Sequence, residues 1–281
     1  MKCAIVVSVF KTKFGPIVFK ENLEENIKAA SSLGYDAVEL AVKNPESVDV
    51  KSLQDMLKAY NMPALTFGTG QIFFDQGLSF SDRDAEIRKK AVSSVKNVID
   101  LASNFGASVI IGLIRGKVNA DDNNMAQALA DAENSLSTCL KECMDYSGKS
   151  GTKFLIEPIN RYEINIFNTL DSAGDFLNRN KNTLDLARIG ILADTFHMNI
   201  EEPSIEKSFE KHINMIKHVH FADSNRWAPG YGHTDFEKIY RVLKANDYNG
   251  YISFEVLPLP DPLSAAKNAI AYVKNLERKF K

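Results

Sequence analysis

Cysteine is scarce in this chain. Its 281 residues include Cys3, Cys139 and Cys143, too few and too irregularly spaced for a disulfide framework, so a reduced, cytoplasmic setting is expected. A surplus of one charge is also missing. Lys plus Arg number 34 and Asp plus Glu 36, a formal net charge of −2. The broad basic field of a nucleic-acid binder is therefore lacking, and no nucleic-acid partner is expected. No apolar run approaches the ~20 residues of a membrane span, so no membrane partner is expected either. The opening MKCAIVVSVFKTK has no small-residue cleavage site after its apolar stretch and reads as a first buried strand. Finally, FKTKFGP, after that stretch, holds one glycine, and TFGTGQ lies in the wrong context for a dinucleotide fingerprint. What is present is ordinary globular composition, 44% hydrophobic and 25% charged, which excludes a disordered or low-complexity chain.

A short apolar run followed by a longer amphipathic stretch recurs along the chain. The runs are CAIVVSV, DAVELAV, PALTFG, SVIIGLI, KFLIEP, RIGILAD, HVHFAD and YISFEV. Near-continuous apolar runs suit strands buried on both faces, as in parallel sheets. Between them the spacing is helical. Leu23, Ile27 and Ala30 make one stripe stopped by Gly34; Ile87, Ala91, Val95, Val98 and Ala102 make another, ended by Gly106. The last helix starts with Asp261 as cap and Pro262 at its first position. Eight such units without a linker predict one (β/α)8 TIM barrel, residues 1–281 as a single domain; an open doubly wound sheet is the alternative.

Chemistry in such a barrel gathers at the carboxyl ends of the strands. The fifth run ends in Glu157 and the sixth in Asp194. The seventh contains His220 and ends in Asp223, and the eighth carries Glu255. A lone carboxylate in an apolar strand is costly unless it is paired or binds a cation. Each residue alone reads equally well as a salt-bridged barrel residue. Glu157, Asp194, His220 and Glu255 together, on consecutive strands, read as a hard, oxygen-rich site for Mn2+, Mg2+ or Co2+. A further polar group follows each of three of them: Glu163 after Glu157, His197 after Asp194, and Arg226 after His220. These can hydrogen-bond a polyhydroxy substrate.

The segments EPINRYE, DTFHMNIEE, HFADSNRWAPGYGHTDF and SFEVLP resemble the xylose-isomerase-like TIM-barrel superfamily, in particular its ketose 3-epimerase branch of D-tagatose and D-psicose 3-epimerases. The resemblance implies that Glu157, Asp194, His220 and Glu255 hold a divalent metal, most readily Mn2+. It also implies that Glu163, His197 and Arg226 hold a sugar around its carbonyl, and that Glu157 and Glu255 are the acid/base pair on opposite faces. It further implies a homo-oligomer, dimer or tetramer. Epimerisation beside a ketone removes a carbon-bound proton and returns it to the other face through an enediolate, whose charge a divalent cation stabilises; two bases are needed because one reaches only one face.

Rival readings within the superfamily are an aldose–ketose isomerase of the hydroxypyruvate-isomerase kind and an inosose-type dehydratase. Endonuclease IV needs further histidines, and all five here lie between His197 and His233. A sugar-binding barrel without turnover is the non-enzyme alternative.

Arg115, after the fourth run, has two readings. Either it recognises a carboxylate at the far end of a sugar acid such as a keto-gluconate or tagaturonate-type hexonate, or it is a loop arginine paired with an acid. Structural readings are given to Cys139 and Cys143 (helix packing), His212, and His218. Thr234 is the candidate cap of the seventh helix, with His233 and Asp235 beside it. Glu39 is either a support for the site or structural, and Trp227 either shields the site or meets another subunit.

Overall fold

The computed structural model describes residues 1–119 and 124–280. Each apolar run supplies one strand: β1 (Lys2–Ser8), β2 (Ala37–Ala41), β3 (Ala64–Gly68), β4 (Ser108–Ile111), β5 (Phe154–Ile156), β6 (Ile189–Asp194), β7 (Ile216–His220) and β8 (Tyr251–Phe254). The strands pair in parallel in chain order, and β1 pairs with β8, so the barrel is closed. This is the TIM-barrel fold. α1 (Leu23–Leu33) follows β1 and α2 (Val50–Ala59) follows β2. α3 (Gly70–Gln76) and α4 (Ala85–Ser103) follow β3, and α5 (Met125–Tyr146) follows β4. α6 (Leu170–Arg179) follows β5, and α7 (Thr195–Glu201) and α8 (Ile205–His212) follow β6. α9 (Phe236–Ala245) and α10 (Pro262–Lys279) follow β7 and β8. Among the described residues no helix is long and apolar enough to cross a membrane.

Two layers of apolar packing separate the two faces of β4, β5 and β6. Val109, Ile111, Phe154, Ile156 and Ile191 join the large core beneath the helices. Their alternates Ile110, Leu155 and Leu192 form a separate buried cluster. Side chains alternate across a strand, so this second set faces the barrel axis. Glu157 stands two residues beyond Leu155 and Asp194 two beyond Leu192, on the same inward face at the carboxyl end.

Helix ends follow local chemistry. Gly34 closes α1 in the left-handed region at φ 84°. Asp261 caps α10, accepting from Ser264 N at 2.9 Å, with Pro262 in the first turn. Two ends differ from expectation. α4 stops at Ser103, and Gly106 (φ 63°) lies in the turn beyond. α9 is capped by Asp235, which accepts from Lys238 N at 3.2 Å; Thr234 sits one residue too early to reach that turn. Cys139 and Cys143 are free thiols buried on α5. His212 ends α8 and bonds Asp171.

Candidate active site

Glu157, Asp194, His220 and Glu255 place one ligand atom each within 4.8 Å of the others. Asp194 and His220 are register partners on β6 and β7, so they stand at one level of the barrel. His220 Nδ1 lies 3.5 Å from Asp194 Oδ2, 3.7 Å from Glu157 Oε1 and 3.9 Å from Glu255 Oε2. Both Asp194 Oδ2 and His220 Nδ1 are buried without a hydrogen-bond partner. Two orphaned acceptor atoms among three carboxylates are the arrangement a hard divalent cation satisfies. The donor set therefore fits such an ion.

The carboxylates differ in their proton affinity. Burial and the charge of Glu255 push Glu157 well above the usual carboxylate range, against the pull of His220. Burial pushes Glu255 up to about 7, with Arg226 and His220 opposing. Burial alone would raise Asp194 too, but Arg226 and the two imidazoles hold it below the ordinary value. Glu255 is thus suited to carry a proton near neutral pH, Glu157 is shifted in the same direction, and Asp194 stays an anion.

Glu39, on β2, lies across the interior from β6 and β7. It accepts from His218 Nε2 at 2.8 Å and from His220 Nε2 at 3.1 Å. Burial would raise its pKa, but the imidazoles bring it well below the usual value. The proton on His220 is thereby fixed at Nε2, and Nδ1 is left as the ligand atom.

A second constellation faces the first. Asn160 directs its backbone N–H (3.4 Å) and its Nδ2 (2.8 Å) at His197 Nδ1. The amide cannot be reversed, because Asn160 Oδ1 accepts from Tyr162 N at 3.0 Å and Nδ2 also donates to Glu163 Oε1 at 2.8 Å. Burial pushes His197 down to about 3, so the ring is neutral and carries its hydrogen on Nε2. Arg226 Nη1 stands 3.2 Å from that Nε2. Two donor groups therefore stand side by side at the edge of the site. Arg226 also bonds Glu255, and its guanidinium carbon lies 4.5 Å from the centre of the Phe196 ring. Glu163 is 41% exposed, at the rim.

Arg226 has φ 61°, an unusual backbone for an arginine. The loop that imposes it is organised by Asp223, whose carboxylate accepts from Ser224 N, Gly230 N, Gly232 N and Thr234 N at 2.8–3.1 Å. Asp223 at the end of the seventh run is thus a loop anchor. Trp227 is half-buried, its ring 5.7 Å from that of Tyr231.

Arg115 requires correction. It is 0% exposed, does not line the cavity, and spends its guanidinium on main-chain carbonyls. Nε donates to Gly112 O at 3.2 Å, Nη1 to Ile166 O and Phe167 O, and Nη2 to Glu157 O. Among the described residues no acid bonds it, and it lies outside the cavity lining where a substrate carboxylate would have to reach it. The short 3-10 turn of Leu113–Arg115 folds the side chain under the loop after β5, which an arginine's fork of donors can staple.

The family model described as Xylose isomerase-like TIM barrel matches residues 27–276. The chain belongs to this family. Among its similar members is the L-ribulose 3-epimerase of Methylomonas sp. (strain DH-1), 31% identical over 237 residues, 82% of this chain and 76% of that one. The 3-dehydro-D-guloside 4-epimerase of Escherichia coli (strain K12) is 26% identical over 260 residues, 91% of this chain and 95% of that one. The apo crystal structure of a 3-keto-D-glucoside 4-epimerase from E. coli superimposes with a TM-score of 0.79 at 22% identity, covering 98% and 100% of the two chains; it speaks to the fold.

In this xylose isomerase-like barrel, sequence reasoning overlooked Asn160, Phe196, Gln71 and Gly112. Asn160 and Phe196 lie inside quoted segments, beside Glu157 and His197, but nothing in their spacing marks them. Gln71 and Gly112 have neighbours that only the closed barrel brings to them.

Proposed function

We propose that this protein is a divalent-metal-dependent sugar epimerase, acting at a carbon next to a ketone. The observation that carries the reading is the approach of Glu157 and Glu255, from β5 and β8, to the same His220 Nδ1 at 3.7 and 3.9 Å, both with raised proton affinity. Glu157, Asp194, His220 and Glu255 would hold the ion, which Asp194 Oδ2 and His220 Nδ1 already lack a partner for; Mn2+ is the first choice, with Mg2+ or Co2+ as substitutes. When bound, the ion supplies Lewis-acid stabilisation of negative charge on substrate oxygen.

The chain's own residues do the rest. One of Glu157 and Glu255 takes the proton from carbon and the other returns one to the opposite face, by way of an enediolate. His197 Nε2–H and Arg226 Nη1–H, their nitrogens 3.2 Å apart, would both donate to oxygens at the carbonyl end of a sugar. Glu163 reaches a further hydroxyl from the rim. Phe196 stacks on Arg226 and keeps water from the guanidinium face.

The named relatives act on ketoses or keto-glycosides, and this supports a sugar substrate. Three free thiols support a reduced, cytoplasmic setting. The family likeness supports a dimer or tetramer, and sedimentation equilibrium tests it. For the activity, the test is incubation with D-fructose, D-tagatose and L-ribulose plus Mn2+ in D2O. Inversion with solvent deuterium at the inverted carbon, abolished by EDTA and restored by metal, is expected. Migration of the carbonyl would instead identify an aldose–ketose isomerase. Binding of sugar with no deuterium entry would identify a non-enzymatic barrel.

A further inference from the structure

Gln71 is the second residue of α3, just beyond β3, and β3 lies across the ring from the β7 strand that carries His220. It is 2% exposed and lines the same cavity as Glu157, His197 and Glu255. A chain of bonds fixes its carboxamide. Ser8 Oγ donates its single proton to Phe10 O at 2.6 Å. Toward Gln71 it can only accept, so the atom 3.2 Å away is the Nε2 donor. Oε1 is left over, a buried acceptor with no hydrogen-bond partner. Leaving such an atom unpaired is costly, and among the described residues none bonds it. Val6, Ala41, Ile110 and Leu113, which line the same cavity, have apolar side chains, and Thr69 has given its proton to Ile110 O at 2.7 Å.

We infer that Gln71 Oε1 accepts a hydrogen bond from a hydroxyl on the part of the sugar remote from the reacting carbons, which makes Gln71 a specificity-determining residue for a substrate uncharged at that end. The inference rests on the epimerase reading. A carboxylate or phosphate would bring acceptor oxygens against an acceptor. Arg226, the arginine that lines the cavity, is bonded to Glu255, and Arg115 is buried outside it.

The test uses Mn2+-loaded protein and whichever of D-fructose, D-tagatose and L-ribulose turns over fastest, with its single-deoxy analogues beyond carbon 3. In the wild type, one analogue should lose about 10- to 100-fold in kcat/KM. Gln71→Met keeps the side-chain length and removes the acceptor. It should lose a similar factor on the parent sugar and nothing further on that one analogue. Loss within about twofold on the parent, or equal loss on every analogue, overturns the assignment. Should Gln71→Met melt early by circular dichroism, Ser8→Ala, which frees the amide to turn, replaces it. A loss on the parent that vanishes on the same analogue supports the assignment, and indifference to the analogue overturns it. A wild type that turns over none of the sugars fells the epimerase reading and this inference together; an active wild type with an indifferent Gln71→Met fells the inference alone.

Discussion

His220 Nε2 donates to Glu39 across 3.1 Å of the barrel interior, and this bond decides which ring nitrogen faces the candidate metal centre. With the proton held on Nε2, the Nδ1 lone pair is free toward Asp194, Glu157 and Glu255. Glu39→Leu removes the acceptor from both His218 and His220. Supporting contacts of this kind are typically worth about 10–100-fold in metal affinity. Titration calorimetry with Mn2+ should show a loss of that order, and unchanged affinity would show that His220 is held by something else.

Glu157→Gln and Glu255→Gln each remove one proton carrier. Epimerisation should fall by at least the ~10²–10⁴-fold a positioned base supplies, in both directions of the reaction. Deuterium entry measured by NMR is the readout. Near-normal rates in either variant contradict a scheme with two bases.

Gly112 faces the carboxylate of Glu157. A Cβ at this position would stand 2.6 Å from Glu157 Oε2 and 3.3 Å from Ile159 Cδ1. Gly112→Ala should therefore turn Glu157 aside and cut kcat by at least about tenfold, the effect of a small misplacement at a reacting group. The melting temperature should change little, since the carboxylate is the flexible partner. Full activity would mean that Glu157 tolerates another rotamer.

Arg115→Leu deprives four main-chain carbonyls, including that of Glu157, of their charged donor. Burial lowers the affinity of this guanidinium for its proton, with the Glu157 charge opposing. Urea unfolding should show a loss of about 3 kcal/mol or more. Turnover of a neutral ketose should fall as well. A defect confined to acidic sugars would return Arg115 to substrate recognition.

Asp223 gives a pH signature. Burial would raise its pKa, yet four backbone N–H groups bring it below the ordinary carboxylate value. A depressed folded-state pKa means stability that is fully present above the unfolded value of about 3.9 and lost as pH falls through the folded one. Asp223→Asn should cost on the order of 2 kcal/mol at pH 7 and less as the pH approaches the acid limb. Equal destabilisation at pH 7 and pH 3 would show that the carboxylate charge plays no part. The same variant releases the loop that sets Arg226, so activity should fall at every pH.

The eight strands, the barrel and the family were legible because the information is local. A strand buried on both faces must be apolar throughout, and a polar residue at its carboxyl end stands out against that background. Glu157, Asp194, His220 and Glu255 were visible for this reason. Arg115 misled for the same reason: a charge after a strand looks like a site residue, and composition cannot tell a guanidinium aimed at ligand from one folded under a loop. Glu39 was visible but undecided, since its partners His218 and His220 lie about 180 residues away and meet it only when β2 and β7 face each other in the closed barrel. The sequence alone determined alternation, hence which side chains look inward. Closure of the barrel decided which of them touch: the tautomers of His197 and His220, the orphaned oxygen of Gln71, and the space that Gly112 leaves for Glu157. Those depend on distances between strands, and no pattern along a single strand carries them.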